Sequence, residues 1–340
     1  MPRIIISDPT LRDGSHAVQH QLSVQQISAY AEAAESAGIP IVEVGHGNGL
    51  GASSLQVGVS LENDFAMIEA ARAKLSKTKL GIFAIPGFAT VRKDIRPAID
   101  LGVDVVRIAS HCTEADITQT HINFVRERGK EVYGVLMMSH MAPNDVLLGE
   151  CRKLESYGAE GVILMDSAGA SIPSDVTERV GYLVENFGLP IGFHAHNNLG
   201  LAVANSIAAV QAGAAIVDGT ARGFGAGAGN TQLEVLIAVL EKMGYSTGID
   251  LYKMLDLSDI AEKELMPSVP VIRPSSIVSG LAGVFSGFSK HVDRIAKEYK
   301  VDPRDIFFEL GKLRVVAGQE DRILEVAAKL AGGNGARNER

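Results

Sequence analysis

Three residues near the start of the chain have the types that polar catalysis needs: Arg12, Asp13 and His16. A guanidinium can hold developing negative charge, a carboxylate can bind a cation, and an imidazole can take up a proton near neutral pH. They follow a β-branched run, Ile4 to Ile6. Breaks at Pro9 and Gly14 predict that all three share one short loop. Such a trio is also ordinary solvated surface, so the stretch decides nothing by itself. Far along the chain stands His194-Ala195-His196. Residues two apart on a strand point the same way, so both imidazoles can face one site. Two imidazoles and a carboxylate, with positions left for water or substrate, suit a divalent metal. Mixed nitrogen and oxygen ligands accept Mn²⁺, Mg²⁺, Fe²⁺ or Zn²⁺. Asp13, His194 and His196 form such a site only if the fold brings the first strand to the seventh.

The rhythm of the chain supplies that fold. Runs that read as strands are Arg3–Asp8, Pro40–Gly45, Leu80–Ile85, Asp104–Ser110, Glu131–Met138, Gly161–Ser167, Pro190–His196 and Ala215–Thr220. Helices are predicted over Ser23–Ala37, Asn63–Leu75, Thr90–Leu101, Asp116–Arg128, Pro143–Tyr157, Pro173–Asn186, Leu199–Ala212 and Gln232–Lys242. Ser23 and Asp116 are placed to cap, and Pro143 and Pro173 to open a first turn. Apolar strands of this kind are buried on both faces, as in a parallel sheet under helices. Eight strand–helix units close an α/β fold of the (β/α)8 TIM barrel type. An open doubly wound sheet competes, but Gly47-Asn48-Gly49-Leu50-Gly51 lacks the spacing of a dinucleotide fingerprint. In a barrel, Asp13 follows strand one and the two histidines close strand seven, at the mouth where barrel enzymes act.

After about Asp256 the rhythm changes. Met266-Pro267-Ser268-Val269-Pro270 and Arg273-Pro274 read as an extended link. Ile277–His291, Val292–Tyr299, Asp305–Val316 and Glu320–Leu330 read as helices. The expected organisation is a catalytic barrel over residues 1–262 and a small C-terminal helical domain over residues 263–340. The polar tail from Gly332 is expected to fray.

Bulk properties narrow the classes. A chain of 340 residues can bury a barrel-sized core. A formal charge of −8 argues against nucleic acid as a partner. No apolar run has the length of a bilayer span and the N-terminus lacks a signal-peptide pattern, so neither membrane nor export is expected. Cys112 and Cys151 are the only cysteines; they read as packing residues in a reducing cytoplasm.

Seven stretches stand in order along the chain: Thr10-Leu11-Arg12-Asp13-Gly14-Ser15-His16, Glu43-Val44-Gly45-His46-Gly47, Ser110-His111-Cys112-Thr113-Glu114-Ala115-Asp116, Asp166-Ser167-Ala168-Gly169, His194-Ala195-His196-Asn197-Asn198-Leu199, Gly225-Ala226-Gly227-Ala228-Gly229-Asn230 and Gly318-Gln319-Glu320-Asp321. Together they resemble the 4-hydroxy-2-oxovalerate aldolases, the class II pyruvate aldolases of aromatic meta-cleavage pathways. The wider group of metal-dependent barrel enzymes shares only the Arg-Asp pair, the His-X-His and the late glycine-rich segment. The third and last stretches look specific to the aldolases.

The resemblance implies retro-aldol chemistry. A 4-hydroxy-2-oxo acid is cleaved, or formed, between pyruvate and an aldehyde through a metal-stabilised enolate. It implies Asp13, His194 and His196 as the metal ligands, with Mn²⁺ the usual ion and Mg²⁺ or another divalent ion an alternative. Charge that develops on the 2-oxo oxygen is best met by a metal and a guanidinium, here Arg12. His16 matches the base for the C4 hydroxyl. Ser167 matches the holder of the substrate carboxylate, and Arg12, Ser167, His194 and Phe285 border the substrate. Asn230 stands behind the metal, or caps the helix that follows it. An acylating aldehyde dehydrogenase is the partner implied, docked on the helical appendage. A homo-oligomer is compatible with all of this.

Three positions depart from the family pattern. Phe285 stands where a tyrosine is typical, Asn197 where a histidine is, and Asn48 where an aspartate is. Phe keeps the ring and loses one polar handle, which points to an altered aldehyde or an altered 2-oxo acid. The enzymatic alternative is a Claisen-type acyl-CoA condensing enzyme or lyase of the wider group. The non-enzymatic one is a scaffold for the dehydrogenase, which has no use for an open metal site.

Overall fold

The computed structural model describes residues 2–316 and 318–335, with the side chains of the last three left out. Strands β1 (Ile5–Leu11), β2 (Ile41–Val44), β3 (Lys79–Ala84), β4 (Val105–His111), β5 (Glu131–Met137), β6 (Val162–Asp166), β7 (Ile191–Ala195) and β8 (Ile216–Asp218) pair in parallel in sequence order. β8 returns to β1 and the barrel closes. Around it run α1 (Val24–Ala37), α2 (Asp64–Arg72), α3 (Arg96–Asp100), α4 (Gln119–Glu127), α5 (Asn144–Ser156), α6 (Pro173–Asn186), α7 (Ala202–Gln211) and α8 (Leu233–Lys242). Side chains alternate along each strand. Val42, Val44, Val106 and Ile108 face the helices, whereas Ile41, Val105, Ala109 and Ile163 form a separate cluster inside the barrel. Glu43 and Arg107 fall on that inner phase.

Local chemistry explains the details, including several departures from expectation. Ser23 caps α1 in a capping box with Gln26. Asp116 does not cap; it lies inside a 3-10 turn, Ala115–Thr118, ahead of α4. The helix expected over Thr90–Leu101 is a π turn, Val91–Ile95, followed by the short α3. The expected break at Pro9 does not occur. β1 runs on to Leu11, and its register against β2 shifts between Asp8 and Leu11. Proline has no N–H to give, and an irregular point of the ladder is where it fits. Arg12 therefore stands at a strand end, and Asp13–Val18 is a 3-10 helix, not a loop.

A ninth helix, α9 (Leu251–Leu265), was not expected from the sequence. It is capped by Asp250 and packs on α1. Beyond the link, α10 (Pro274–Ala282), α11 (Ser289–Tyr299), α12 (Pro303–Leu313) and α13 (Asp321–Gly335) build a C-terminal helical region. Its own core includes Val284, Phe288, Val292, Ile306, Phe307 and Ile323. The single helix expected over Ile277–His291 is broken: Gly283 takes φ +65 and ends α10. The expected fraying does not hold for residues 332–335, which continue α13, and residues 336–340 lie outside the described part. The region is seated on the barrel by Ser286 N–H to Ser167 O (2.9 Å), Lys290 Nζ to Ala17 O (2.6 Å) and Arg314 Nη2 to Met141 O (2.7 Å).

Candidate active site

Ligand atoms of Asp13, His194 and His196 lie within 4.8 Å of one another at the barrel mouth, all three side chains buried. His194 Nε2 is 3.8 Å and His196 Nε2 4.0 Å from Asp13 Oδ2. His194 Nδ1 bonds Asp218 Oδ2 at 2.8 Å. That bond puts the ring proton on Nδ1 and leaves the Nε2 lone pair free. Nε2 is buried without a hydrogen-bond partner. A buried, unpartnered acceptor beside an ionised carboxylate fits a cation between them. Burial alone would raise the Asp13 carboxyl. The Arg12 guanidinium, with three nearby imidazoles, holds it below the ordinary carboxylate range instead. Burial lowers His196 to about 4, which keeps its ring neutral, as a metal ligand must be.

Arg12 is held from three sides. Nε donates to Glu43 Oε1 (2.6 Å), and Nη1 donates to Asp13 Oδ2 (2.7 Å) and Gly47 O (3.2 Å). Its Cζ lies 4.3 Å from the centre of the Phe83 ring. Nη2 remains buried and unpartnered. A rigid guanidinium with one donor group to spare is suited to a developing oxyanion.

Beneath this runs a ladder of buried charge. Arg107 donates through both Nη atoms to Asp218 at 2.6 Å each, and its Nη1 lies 3.7 Å from Glu43 Oε2. Arg12, Glu43, Arg107, Asp218 and His194 thus form one chain of alternating polarity across the barrel. Each is at most 2% exposed, where an unpaired charge would be costly. Glu43, Arg107 and Asp218 escaped sequence reasoning. A signal existed: a charged residue inside an otherwise apolar strand, such as Val105-Val106-Arg107-Ile108, must find a partner.

His16 stands at the rim, its ring pushed down to about 3 by burial and therefore neutral. It meets His20 edge-on, with ring centres 5.0 Å apart, and His20 stacks on His46 at 3.6 Å. His20 Nδ1 accepts the Gly47 N–H, so its Nε2–H donates to Val57 O. His46 Nδ1 accepts the Asn48 N–H and its Nε2–H donates to Gly58 O. A Cβ at position 47 would lie 2.5 Å from the His16 ring, so a side chain there would have to displace it.

A cavity of about 30 Å³ is walled by Arg12, Asp13, His16, His196 and Phe285, with apolar Phe83, Ile85, Phe88, Met137 and Met165. An outer cavity of about 450 Å³ shares His16, Asn48 and Phe285 with it and opens between the 3-10 helix and the C-terminal region. Phe285 therefore reaches the barrel mouth, in T-shaped contact with Phe288 at 5.6 Å. Ser167 and His194 are buried but outside the small cavity's wall. Ser167 Oγ accepts the Met138 N–H at 3.0 Å, which leaves its own proton to donate. Asn230 pairs with His196 through the backbone. Its amide is buried without a partner and does not cap α8. Cys112 and Cys151 are both buried, and burial raises their thiols to about 11 and about 12.

Known proteins agree with this architecture. Residues 3–261 match the HMGL-like family and residues 270–332 the DmpG-like communication domain. The 4-hydroxy-2-oxovalerate aldolase of Spirochaeta aurantia is 63% identical over 97% of this chain and 96% of its own length. That of Pectobacterium atrosepticum is 62% identical over the same shares.

The chain belongs to the 4-hydroxy-2-oxovalerate aldolase family.

This aldolase is accordingly an enzyme of the carbon–carbon lyase type. Its fold extends further. The carboxyl transferase domain of Rhizobium etli pyruvate carboxylase matches it with a TM-score of 0.82 at 16% identity, over 97% of this chain and 60% of that one. At that identity the likeness speaks for the fold alone. Among the described residues of the aldolase, no helix is long and apolar enough to cross a membrane.

Proposed function

We propose that this aldolase cleaves or forms 4-hydroxy-2-oxo acids such as 4-hydroxy-2-oxovalerate, with pyruvate and an aldehyde as the other side of the reaction. The observation that carries the reading is the convergence of Asp13, His194 and His196 beside Arg12 Nη2, an unpartnered donor, and the neutral His16. Asp13, His194 and His196 would hold a divalent ion, which supplies Lewis-acid polarisation of the 2-oxo group when bound. Mn²⁺ is our choice of ion. Arg12 donates from Nη2 to the 2-oxo oxygen and is bound most tightly when that oxygen carries charge. His16 takes the C4 hydroxyl proton as the C3–C4 bond breaks. The bonding pair moves into the pyruvate enolate, and C3 is then protonated to pyruvate. Ser167 donates its free hydroxyl proton to the substrate carboxylate. His194 and Phe285 border the bound acid and the aldehyde end respectively. Asn230, its amide unpartnered, stands behind His196 and steadies it.

The apolar part of the wall that Phe285 shares favours an aldehyde with an apolar chain. We divide the chain into a catalytic barrel over 1–262 and a helical domain over 263–340. The match to a DmpG-like communication domain supports docking of an acylating aldehyde dehydrogenase there. Two buried free cysteines suit a cytoplasmic setting, and breakdown of aromatic compounds is the pathway we favour.

The test uses two reactions. Chelator-stripped protein should be inactive and recover better with Mn²⁺ than with Ca²⁺, whose looser coordination polarises a carbonyl less. Arg12→Ala should suppress both cleavage and exchange of pyruvate methyl protons, because both pass through the enolate. His16→Ala should damage cleavage far more than exchange. Full activity of His194→Ala in the presence of chelator would end the metal reading, and equal losses in the two His16→Ala assays would end its role as the C4 base.

A further inference from the structure

Asn198 follows His196 by two residues and is fully buried, yet it stands in the wall of neither cavity. Nδ2 donates to Ala168 O and to Ser286 Oγ, each at 2.9 Å, and Oδ1 accepts the Ala228 N–H at 3.0 Å. The three partners belong to three different segments. Ala168 adjoins Ser167 after β6, Ala228 lies in the glycine-rich stretch after β8, and Ser286 adjoins Phe285 in the C-terminal region. A second bond runs alongside, from Ser286 N–H to Ser167 O at 2.9 Å. Room for the amide is reserved: at Gly227, which takes φ +63, a Cβ would lie 2.6 Å from Asn198 Oδ1 and 3.1 Å from Ser286 Cβ.

We propose that Asn198 is a positioning residue that, through Ser286, fixes where Phe285 stands over the barrel mouth. It thereby sets the fit of the aldehyde end without acting on the metal ligands or on Arg12. A buried amide with three partners has one geometry, because any rotation leaves a donor or acceptor unmet. Two of its bonds lock barrel loops, and the third reaches across to the helical region. Position along that third bond is the position of Phe285, one residue away. A shift of the helical region at Ser286 would strain this bond together with the Ser286 N–H to Ser167 O bond beside it.

The inference rests on the aldolase reading, and its test separates the two. Asn198→Ala, Ser286→Ala and the double variant are compared with the parent, all loaded with Mn²⁺. Proton exchange on pyruvate involves no aldehyde end, whereas cleavage acts on a substrate whose C4 end becomes the aldehyde. Metal affinity by calorimetry and the exchange rate should stay within about twofold of the parent. kcat/KM for cleavage should fall about tenfold in each single variant, and no further in the double variant than in Asn198→Ala, as expected for one shared bond. Deuterium uptake by the amides of residues 284–288 should rise in both single variants. Proportionate loss of exchange and cleavage would overturn the proposal, as would strictly additive losses or unchanged uptake in Ser286→Ala. Should Asn198→Ala fail to fold, Ser286→Ala alone decides, since it removes one partner and leaves the amide's other bonds. A parent with neither exchange nor cleavage refutes the aldolase reading instead, and uptake at 284–288 still tests the latch.

Discussion

At the scale of single residues, the site depends on groups that never touch substrate. Asp218 orients His194 and is itself gripped by both Nη atoms of Arg107. Asp218→Asn keeps the shape and an acceptor for His194 Nδ1, but it weakens the hold of Arg107 and lowers the basicity passed to the ligand. Metal affinity should fall about 10–100-fold, as is usual when a ligand's outer partner is changed. Calorimetric titration of the stripped protein checks this, and an unchanged affinity would deny Asp218 any part in the metal site. Phe285 makes the opposite kind of case, a residue whose missing atom matters. The small cavity has an apolar side of Phe83, Ile85, Phe88, Met137 and Met165 and a polar side that includes His16, Asn48 and Glu320, and we take a hydroxyl added at 285 to meet the apolar side. Phe285→Tyr should therefore cost about 1–3 kcal/mol in kcat/KM for bulky apolar aldehydes. For acetaldehyde it should be neutral or favourable. Improvement with every aldehyde tested would mark Phe285 as a loss relative to the family and not an adaptation.

At the scale of elements, the 3-10 helix Asp13–Val18 and the loop after β2 meet through the histidines 16, 20 and 46. Burial lowers these rings to about 3, about 2 and about 4. In the unfolded chain they take up protons near 6.5, whereas in the folded protein they do not until far lower. Their contribution to stability is complete above about 6.5 and is lost as the pH falls, down to about 4 for His46, about 3 for His16 and about 2 for His20. Asp8, pushed up to about 6 mainly by burial, works in the other direction, because the folded state protonates it first. Among these four groups, three lose stability and one gains it on acidification, so the stack's share should appear as a falling melting temperature. The slope should be shallower in His20→Gln, and an identical slope would remove the stack from this account. Elements of this kind differ in how well they can be read from sequence. Alternating apolar runs and turn residues make all eight strand–helix units visible, because burial between two layers leaves a local pattern. His194-X-His196 is visible for the same reason, its spacing being that of one strand face. The Arg107–Asp218 pair is not, since its partners lie 111 residues apart and meet only once the barrel closes. The break at Gly283 was hidden because an apolar run continues on both sides of it.

At the scale of the molecule, the barrel and the helical region share one site, since Phe285 reaches a cavity otherwise walled by the barrel and by Gly318 and Glu320. The helical region also turns apolar side chains outward. Ile277 and Leu281 on α10 are 42% and 64% exposed, and Phe308 and Leu313 on α12 are 45% and 58% exposed. These two helices pack against each other, with their own core beneath them. Exposed apolar residues gathered on one small region are the usual mark of a docking face. Within residues matching a communication domain, the dehydrogenase is the occupant expected. Leu281→Asp places a charge on that face and alters nothing at the metal site. It should weaken association with the dehydrogenase by roughly 2 kcal/mol, about thirtyfold in Kd, as loss of an apolar anchor does. Sedimentation of the mixed proteins measures the association, and pyruvate proton exchange by the variant alone checks that the barrel is intact. Parental affinity in Leu281→Asp would move the docking face away from α10. Lost exchange would show instead that the substitution had disturbed the barrel, which its exposed position argues against.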